Sequence, residues 1–220
     1  MVPSRADVSP QFWALVEAEP LPDADAVDVG TGTGRIALAV ASRCHRVVGL
    51  DRDAGALDEA RRRADAARLG NVEFVQLDVE AREDYVGVTS LFTRPTLILA
   101  HLCMSEPIIA ASGRTLRHGE ALAFVAFHVD QWRETGRRSR FAYDEDEARR
   151  QLETHGFAVE HLAVEQDVQK FDSVEQGLAA AIGLAERWKT DGRWFHYIKF
   201  LEEGGRTLTR SHLIAKARRR

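Results

Sequence analysis

The chain has 220 residues and a mass of 24.6 kDa, which suits a single domain spanning residues 1–220 with a sizeable core. Its 30 basic and 34 acidic side chains give a formal charge of −4, which excludes a strongly basic nucleic-acid clamp but leaves room for a local basic patch. No apolar stretch is long enough to span a bilayer, and no basic segment followed by an apolar one is visible near Met1, so we expect no secretory signal. Two cysteines are too few for a disulfide framework or a zinc site, so we expect a cytoplasmic protein without a metal.

Strand and helix patterns alternate through the first part of the chain. The predicted strands are short and apolar, and the predicted helices repeat apolar residues at helical spacing. In chain order we predict strands at 26–29, 46–50, 72–77, 95–102 and 121–128, with helices at 34–43, 53–69 and 105–116. Strands that alternate with helices predict right-handed βαβ units and a parallel sheet between two helical layers.

The last third of the chain has a different pattern. We predict a helix at 144–155 and two further strands at 157–165 and 207–217. Between these strands lie a predicted helix at 172–189 and an aromatic stretch, so that an insertion over 172–205 precedes the last strand. An insertion of this size is either a lid or an oligomer contact, and the sequence leaves the oligomeric state open.

The most informative segment is the glycine loop after the first predicted strand, which reads Val27-Asp28-Val29-Gly30-Thr31-Gly32-Thr33-Gly34. Glycine permits a left-handed backbone and a close approach of ligand atoms to the loop amides. Asp51 ends the second predicted strand, where a carboxylate can accept hydrogen bonds from both hydroxyls of a ribose. Asp78 ends the third, where it can accept from an adenine amino group. Loop and acids together predict an adenosine pocket along the edge of the sheet.

The spacing of the glycines separates two classes of nucleotide site. Dinucleotide folds usually show G-x-G-x-x-G, whereas this loop is G-x-G-x-G with Asp28 two residues before it. The stretches AVDVGTGTGRIALAVA, VVGLDRD and VEFVQLDVE resemble class I S-adenosylmethionine-dependent methyltransferases in order and spacing, and the likeness covers residues 24–128. The resemblance implies a three-layer Rossmann-like α/β sandwich. Its sheet has seven strands, mostly parallel with an antiparallel last strand, and S-adenosyl-L-methionine is the cofactor.

The resemblance also implies roles for individual residues. Asp28 orients the loop or meets the methionine amino group, Asp51 holds the ribose, and His101 faces the reactive methyl. The remaining cofactor contacts that it implies are Gly30, Thr31, Gly32 and Gly34 in the loop, Arg52 and Val79 with Asp78 around the adenine, and Ala100 beside the methionine moiety. Three glycines in a tight turn, and Asp51 or Asp78 as plain helix caps, are the structural alternatives.

Candidates for chemistry follow the fourth and fifth predicted strands. The sequence after the fourth lacks the Asn-Pro-Pro-Tyr-like motif of amino-directed methyltransferases, which argues against base N-methylation. His101 is the candidate general base, with a histidine hydrogen-bonded at a strand end as the alternative. Glu106 reads as an acid in the first turn of a helix, and His128 with Asp130 could reach the same cleft.

Basic residues collect after the fifth predicted strand and at the end of the sequence. Arg137 and Arg138, with Trp132 nearby, could bind RNA or grip an acidic small molecule, and we favour substrate binding for these two and for His128. A solvated connection and a disordered basic tail over 216–220 form the alternative.

Four functions remain on these grounds. The first is methyl transfer to a small molecule, and the second is the same chemistry on RNA or protein. A nucleotide-binding oxidoreductase and a non-catalytic cofactor-binding relative complete the set.

Overall fold

The computed structural model describes residues 8–220. The expectation about a secretory signal rests partly on the first seven residues, which lie outside this range. The chain forms two compact units. The first comprises the chain up to Ala126 together with 145–163 and 214–220, and the second comprises 127–144 and 164–213. Among the described residues, no helix is both long and apolar enough to cross a membrane.

Five parallel strands form the centre of the sheet, as the alternating pattern predicts. They are β1 (Asp25–Val29), β2 (Arg46–Asp51), β3 (Val72–Gln76), β4 (Leu97–His101) and β5 (Ala121–His128). Their order in the sheet is β3-β2-β1-β4-β5, and the register places Val29 of β1 beside Ala100 of β4. All eight residues of β5 are buried, because helices cover both faces of a sheet of this kind.

The helices of the first unit are α1 (Pro10–Glu17), α2 (Arg35–Ala41), α3 (Ala54–Ala66), α4 (Glu106–Thr115) and α5 (Glu145–Thr154). Side-chain caps fix two of their starts. Ser9 Oγ accepts a hydrogen bond from Phe12 N (3.1 Å), and Asp53 Oδ1 accepts one from Ala56 N (3.1 Å). The six residues of α2 after Arg35 are all buried, which explains the apolar composition of this helix.

The last two strands are antiparallel. Beside β5 lies β8 (Thr207–Arg219), and beside β8 lies β7 (Phe157–Lys170). Arg219 N donates to Glu120 O (2.9 Å) just before β5, so the end of β8 meets the start of β5. Both strands are longer than the sequence predicts. The sheet also gains the two-residue strand β6 (Ala142–Tyr143), parallel to β5, which is too short to leave a periodic pattern.

The helices of the second unit are α6 (Val174–Ala181), α7 (Ala185–Asp191) and α8 (Arg193–Glu202). The predicted single helix at 172–189 is therefore wrong in one respect, since a 3-10 turn at Ile182–Leu184 separates α6 from α7. Gly183 sits in this turn and weakens a continuous helix.

The aromatic stretch forms the core of the second unit. Trp188 and Tyr197 are fully buried, with ring centroids 5.7 Å apart, and Trp132 stands edge-on to Trp188 at 5.2 Å. Buried Glu134 accepts hydrogen bonds from Thr209 N (3.1 Å) and Thr209 Oγ1 (2.6 Å), which satisfies its carboxylate. The stretch that sequence reasoning assigns to a lid or an oligomer contact is thus mainly packed on itself, although Phe195 is 65% exposed.

Candidate functional site

The loop between β1 and α2 is held open by its glycines. Gly30, Gly32 and Gly34 have φ angles of +66°, +53° and +81°, a left-handed conformation that only glycine adopts at low cost. A Cβ on Gly30 would lie 2.6 Å from Cys103 Sγ, so the loop packs tightly there. A Cβ on Gly32 would meet no atom of the described residues within 4 Å. The middle of the loop is therefore the part that a ligand can approach.

Asp28 orients this loop from beneath. Its side chain is buried, and Oδ2 accepts hydrogen bonds from Thr31 Oγ1 (2.6 Å) and Ala37 N (3.0 Å). Burial is the main cause that raises the pKa of Asp28 to about 7, with the charge of Asp51 adding to it and both hydrogen bonds opposing it. Of the two roles implied for this acid, the contacts show the orienting one.

The raised pKa of Asp28 predicts a pH dependence of stability. Between its ordinary pKa of 3.8 and about 7, the folded chain holds a proton that the unfolded chain has released, so stability falls as pH rises and is constant above the folded pKa. We expect the buried Asp28 carboxyl to lower the free energy of unfolding by roughly 2–3 kcal/mol between pH 5 and pH 7, at about 1.4 kcal/mol per pH unit. Urea denaturation of wild type and Asp28→Asn from pH 5 to pH 8 checks this. The amide can keep both hydrogen bonds through its oxygen, and a stability difference that does not change with pH would contradict the prediction.

Asp51, at the end of β2, faces the same loop. Its Oδ2 accepts from Gly32 N (2.8 Å) and its Oδ1 accepts from Asp53 N (2.9 Å). Each oxygen of a carboxylate has two lone pairs, so both oxygens can accept one hydrogen bond more. Asp51 thus ties the loop to β2 and still offers two acceptors, which suits a vicinal diol. Arg52, next to it, is exposed.

Asp78 and Val79 follow β3. Asp78 is exposed, and its Oδ1 accepts from Glu80 N (3.1 Å), so it caps a short 3-10 turn while Oδ2 can accept another bond. Tyr85, fully buried, donates its hydroxyl to Val79 O (3.3 Å) and supports this corner. Sequence reasoning missed Tyr85, because it stands alone in a polar stretch with no periodicity.

The end of β4 lies next to the glycine loop. Ala100 is fully buried between Val29 and Phe124 in the sheet. The ring centroid of His101 lies 6.5 Å from that of Phe12 of α1, so the N-terminal helix packs on the candidate base.

Cys103 lies under the glycine loop and was not assigned a role by sequence. Its Sγ donates to Val29 O (3.1 Å), and burial, with the charge of Asp28 adding to it, raises the pKa of this thiol to about 12. Leu102, one residue before, has a φ of +61°. This conformation is uncommon for a residue with a side chain and is held by the hydrogen bond from Leu102 N to Val125 O (2.7 Å).

The structure places the predicted acceptor-binding residues in the second unit. His128 is buried at the end of β5, with Nδ1 2.9 Å from Ser211 Oγ and 3.3 Å from Asp130 N, which donates to it. Arg137 donates to the carbonyl oxygen of Asp191, and Arg138 Nε donates to Ala142 O (3.2 Å). These side chains are anchored within their own unit.

The basic residues at the end of the sequence are ordered, and the expectation of a disordered tail is wrong. Lys216 is 6% exposed and pairs with Glu19, and Arg218 pairs with Glu19 (2.7 Å) and with Glu160. Arg219 Nε donates to Gly113 O (2.8 Å). These partners occupy the cations, so they are not available as a continuous positive face. Throughout residues 8–220, no three His, Cys, Asp or Glu side chains form a group that could hold a metal.

Residues 26–118 match the model of a methyltransferase domain family. A search of curated proteins gives no significant match.

Solved structures show the same fold. YcgJ from Bacillus subtilis superposes with a TM-score of 0.72 at 14% identity, over 94% of this chain and 97% of that one. An S-adenosylmethionine-dependent methyltransferase from Mesorhizobium loti gives 0.60 at 17%, over 96% of each chain. Geranyl diphosphate C-methyltransferase from Streptomyces coelicolor, solved with Mg²⁺, geranyl diphosphate and S-adenosyl-L-homocysteine, gives 0.61 at 18%, over 96% of this chain and 80% of that one. Residues 26–118, which include the glycine loop and the strand-end acids, thus match a methyltransferase domain, and the chain shares the fold of an S-adenosylmethionine-dependent methyltransferase.

Proposed function

We propose that this enzyme transfers the methyl group of S-adenosylmethionine to a small-molecule acceptor. The open position at Gly32 and the two remaining acceptor sites of Asp51 fit the adenosine part of that cofactor. Gly30, Thr31 and Gly34 would complete the loop that holds it. When bound, the cofactor supplies a methyl group that its positive sulfur already activates. The chain must therefore mainly align the acceptor in line with that methyl and exclude water.

The side chains at the adenine and methyl ends would have distinct roles. Asp78 Oδ2 would accept from the adenine amino group, while Val79 and Arg52 flank the ring. Ala100 lies near the end of β4, and this strand end would border the methionine moiety. His101 would take up the proton of an acceptor that must lose one, since a neutral imidazole accepts a proton near pH 7. An acceptor without such a proton needs no base.

A small acceptor is favoured over RNA by one observation. The basic residues at the end of the sequence, Lys216, Arg218 and Arg219, are committed to acids and carbonyls of the first unit. The structural neighbour named for geranyl diphosphate shows that this fold can host a small-molecule methyltransferase. Residues 129–220 would supply acceptor recognition through Arg137 and Arg138, together with His128 at the end of β5, within one functional domain of 1–220. Both cysteines are free, which suits a reducing compartment, and we infer the cytoplasm.

Replacing Asp51 tests the cofactor half of the proposal. Asp51→Ala removes the two remaining acceptor sites and the tie to Gly32, so we expect S-adenosylhomocysteine to bind at least tenfold more weakly, since lost charged hydrogen bonds cost about 1.5–3 kcal/mol. Asp58→Ala, an exposed acid on α3, is the charge-matched control and should bind as wild type. Calorimetry measures both, with NAD titrated alongside. Preference for NAD would favour the oxidoreductase.

The acceptor half is tested by following a labelled methyl group. Wild-type enzyme is incubated with methyl-labelled S-adenosylmethionine and, separately, with the small-molecule, RNA and protein fractions of a cell extract. Label in the small-molecule fraction is the expected result. Label in RNA or protein would overturn it, and tight cofactor binding with no transfer to any fraction would favour a non-catalytic relative.

A further inference from the structure

Three arginines of the second unit lie together at the start of α8. Arg193 is the first residue of α8, Arg187 belongs to α7, and Arg137 precedes both in the chain. Nη1 of Arg137 lies 3.7 Å from the position that a Cβ on Gly192, the residue before α8, would take. Both Arg187 and Arg137 act electrostatically on Arg193. We call Arg137, Arg187 and Arg193 the arginine cluster.

The charge of the arginine cluster is only partly balanced. Asp191 is the acid that acts on Arg193, and its Oδ2 lies 3.2 Å from Arg193 Nε. The geometry is poor, however, and Nε makes no hydrogen bond with any described residue although it is buried. Arg137 donates a hydrogen bond to the backbone carbonyl oxygen of Asp191 and not to its carboxylate. Burial first, and then the guanidiniums of Arg187 and Arg137, lower the pKa of Arg193, while Asp191 raises it.

The ring of Trp132, which packs on Trp188, lies beside Arg193, the least exposed member of the arginine cluster. Arg193 Cζ lies 5.7 Å from the ring centroid of Trp132, and Trp132 contacts Trp188 at 5.2 Å. Trp188 is fully buried, and its Nε1–H has no acceptor among the described residues. Buried N–H groups are nearly always paired in folded proteins. Within the described part of the chain, Trp188 Nε1–H lacks an acceptor, and Arg193 Nε has only its ion pair with Asp191. Beside the same Trp132 ring, these two groups point to an acceptor that the described residues do not provide.

The exposure of the three arginines suits capture of an anion. Arg137 and Arg187 are exposed, whereas the side chain of Arg193 is only 12% exposed and is fixed against Trp132. Arg193 also begins α8, a ten-residue helix, so the positive end of the helix adds to the three cations. Guanidinium groups match the oxygens of carboxylate and phosphate in pairs.

We propose that the arginine cluster binds the carboxylate or phosphate group of a small molecule, with Arg193 as the fixed contact and Arg137 and Arg187 closing over it. The small molecule would then be an acid or a phosphate ester, carried as the anion at neutral pH.

The test uses inorganic phosphate and acetate as probes at constant ionic strength. The readout is the indole N–H resonance of Trp188, assigned by its loss in Trp188→Phe, together with a binding curve for each probe. In wild type we expect a saturable shift of this resonance with at least one probe, and the tighter probe identifies the class of acid. Arg187→Gln and Arg137→Gln should each weaken binding about threefold to tenfold, as expected for one exposed charged contact. Arg149→Gln, an exposed arginine of α5, should leave it unchanged.

Separate controls keep the two proposals apart. Binding of S-adenosylhomocysteine is measured in every variant and should stay at the wild-type value, which shows that the variants fold. A saturable phosphate or acetate response supports the arginine cluster even if no methyl transfer is found. A linear shift of equal size in all variants would overturn the proposal. So would tight binding of a uridine oligonucleotide that Arg133→Gln weakens as much as Arg187→Gln, since that result assigns the arginines to RNA.

Discussion

Gly32→Ala is expected to weaken binding of S-adenosylhomocysteine roughly hundredfold while leaving the enzyme folded. The added methyl group meets no atom of the described residues within 4 Å, so it enters the space that the loop leaves for a ligand. A cofactor pushed away from the loop loses hydrogen bonds worth about 1.5–3 kcal/mol each where a charge takes part, and about 2.8 kcal/mol corresponds to hundredfold weaker binding. The left-handed φ of +53° adds about 1–2 kcal/mol of strain, which a folded domain tolerates.

Gly30→Ala is the companion variant, and we expect it to lower the free energy of unfolding. Its Cβ would lie 2.6 Å from Cys103 Sγ, in addition to the strain of a left-handed backbone. We expect a loss of about 2–5 kcal/mol, the sum of left-handed strain and overpacking. Adding Cys103→Ala should recover part of it by removing the sulfur. Urea denaturation and calorimetry measure both variants.

Gly70→Ala serves as the control for the two loop variants, because Gly70 has neither a left-handed φ nor a neighbour within 4 Å among the described residues. It should change neither stability nor binding appreciably. Equal losses in Gly32→Ala and Gly70→Ala would show that the loop does not hold the cofactor.

Glu19→Gln should lower the free energy of unfolding by about 3 kcal/mol, since it leaves a buried cation without its nearest partner. Lys216 and Glu19 are 6% and 8% exposed, and Lys216 Nζ also donates to Leu15 O (3.2 Å) of α1. Burial raises the pKa of Glu19, but hydrogen bonds from Arg218 and Lys216 outweigh it and hold the pKa below its usual range. The pair therefore stabilises above that range, and its contribution is lost as pH falls through the lowered pKa.

Glu17→Gln is the matched control for this pair. Glu17 is the last residue of α1, two positions before Glu19, and it pairs with Arg43 at the surface, where such a pair contributes about 0–1 kcal/mol. Chemical denaturation at pH 7 compares the two variants, and the double variant Glu19→Gln with Lys216→Met should regain stability by removing the unpaired charge. A loss no larger for Glu19→Gln than for Glu17→Gln would show that the pair is not a stabilising contact.

Most of the central sheet could be predicted from sequence, because buried parallel strands appear as short apolar runs between helical patterns. Ala121–His128 is such a run, and the strand matches it residue for residue. The break between α6 and α7 was missed because Gly183 is only one weak signal inside a long helical pattern. The strand at Ala142–Tyr143 was missed because its pairing with β5 is a tertiary contact with no local period.

The residues of the candidate site also differ in whether the sequence predicts them. The positions of the glycine loop, Asp28 and Asp51 could be predicted because they follow from spacing along the chain. Supports such as Tyr85 and Cys103 could not, since they reach the loop from distant segments and depend on packing alone. At the end of the sequence, a run of basic residues suggested a solvated tail. In the structure, acids and carbonyl groups pair with Lys216, Arg218 and Arg219.

The thiol beneath the glycine loop has a consequence for how this enzyme can be observed. Cys103 keeps its proton at neutral pH, and burial likewise raises the pKa of Cys44 to about 11. A protonated thiol reacts slowly with alkylating reagents, and a buried one such as Cys44 reacts only after its surroundings open. Alkylation of Cys44 therefore reports the opening of the region just before β2, and alkylation of Cys103 reports changes at the glycine loop.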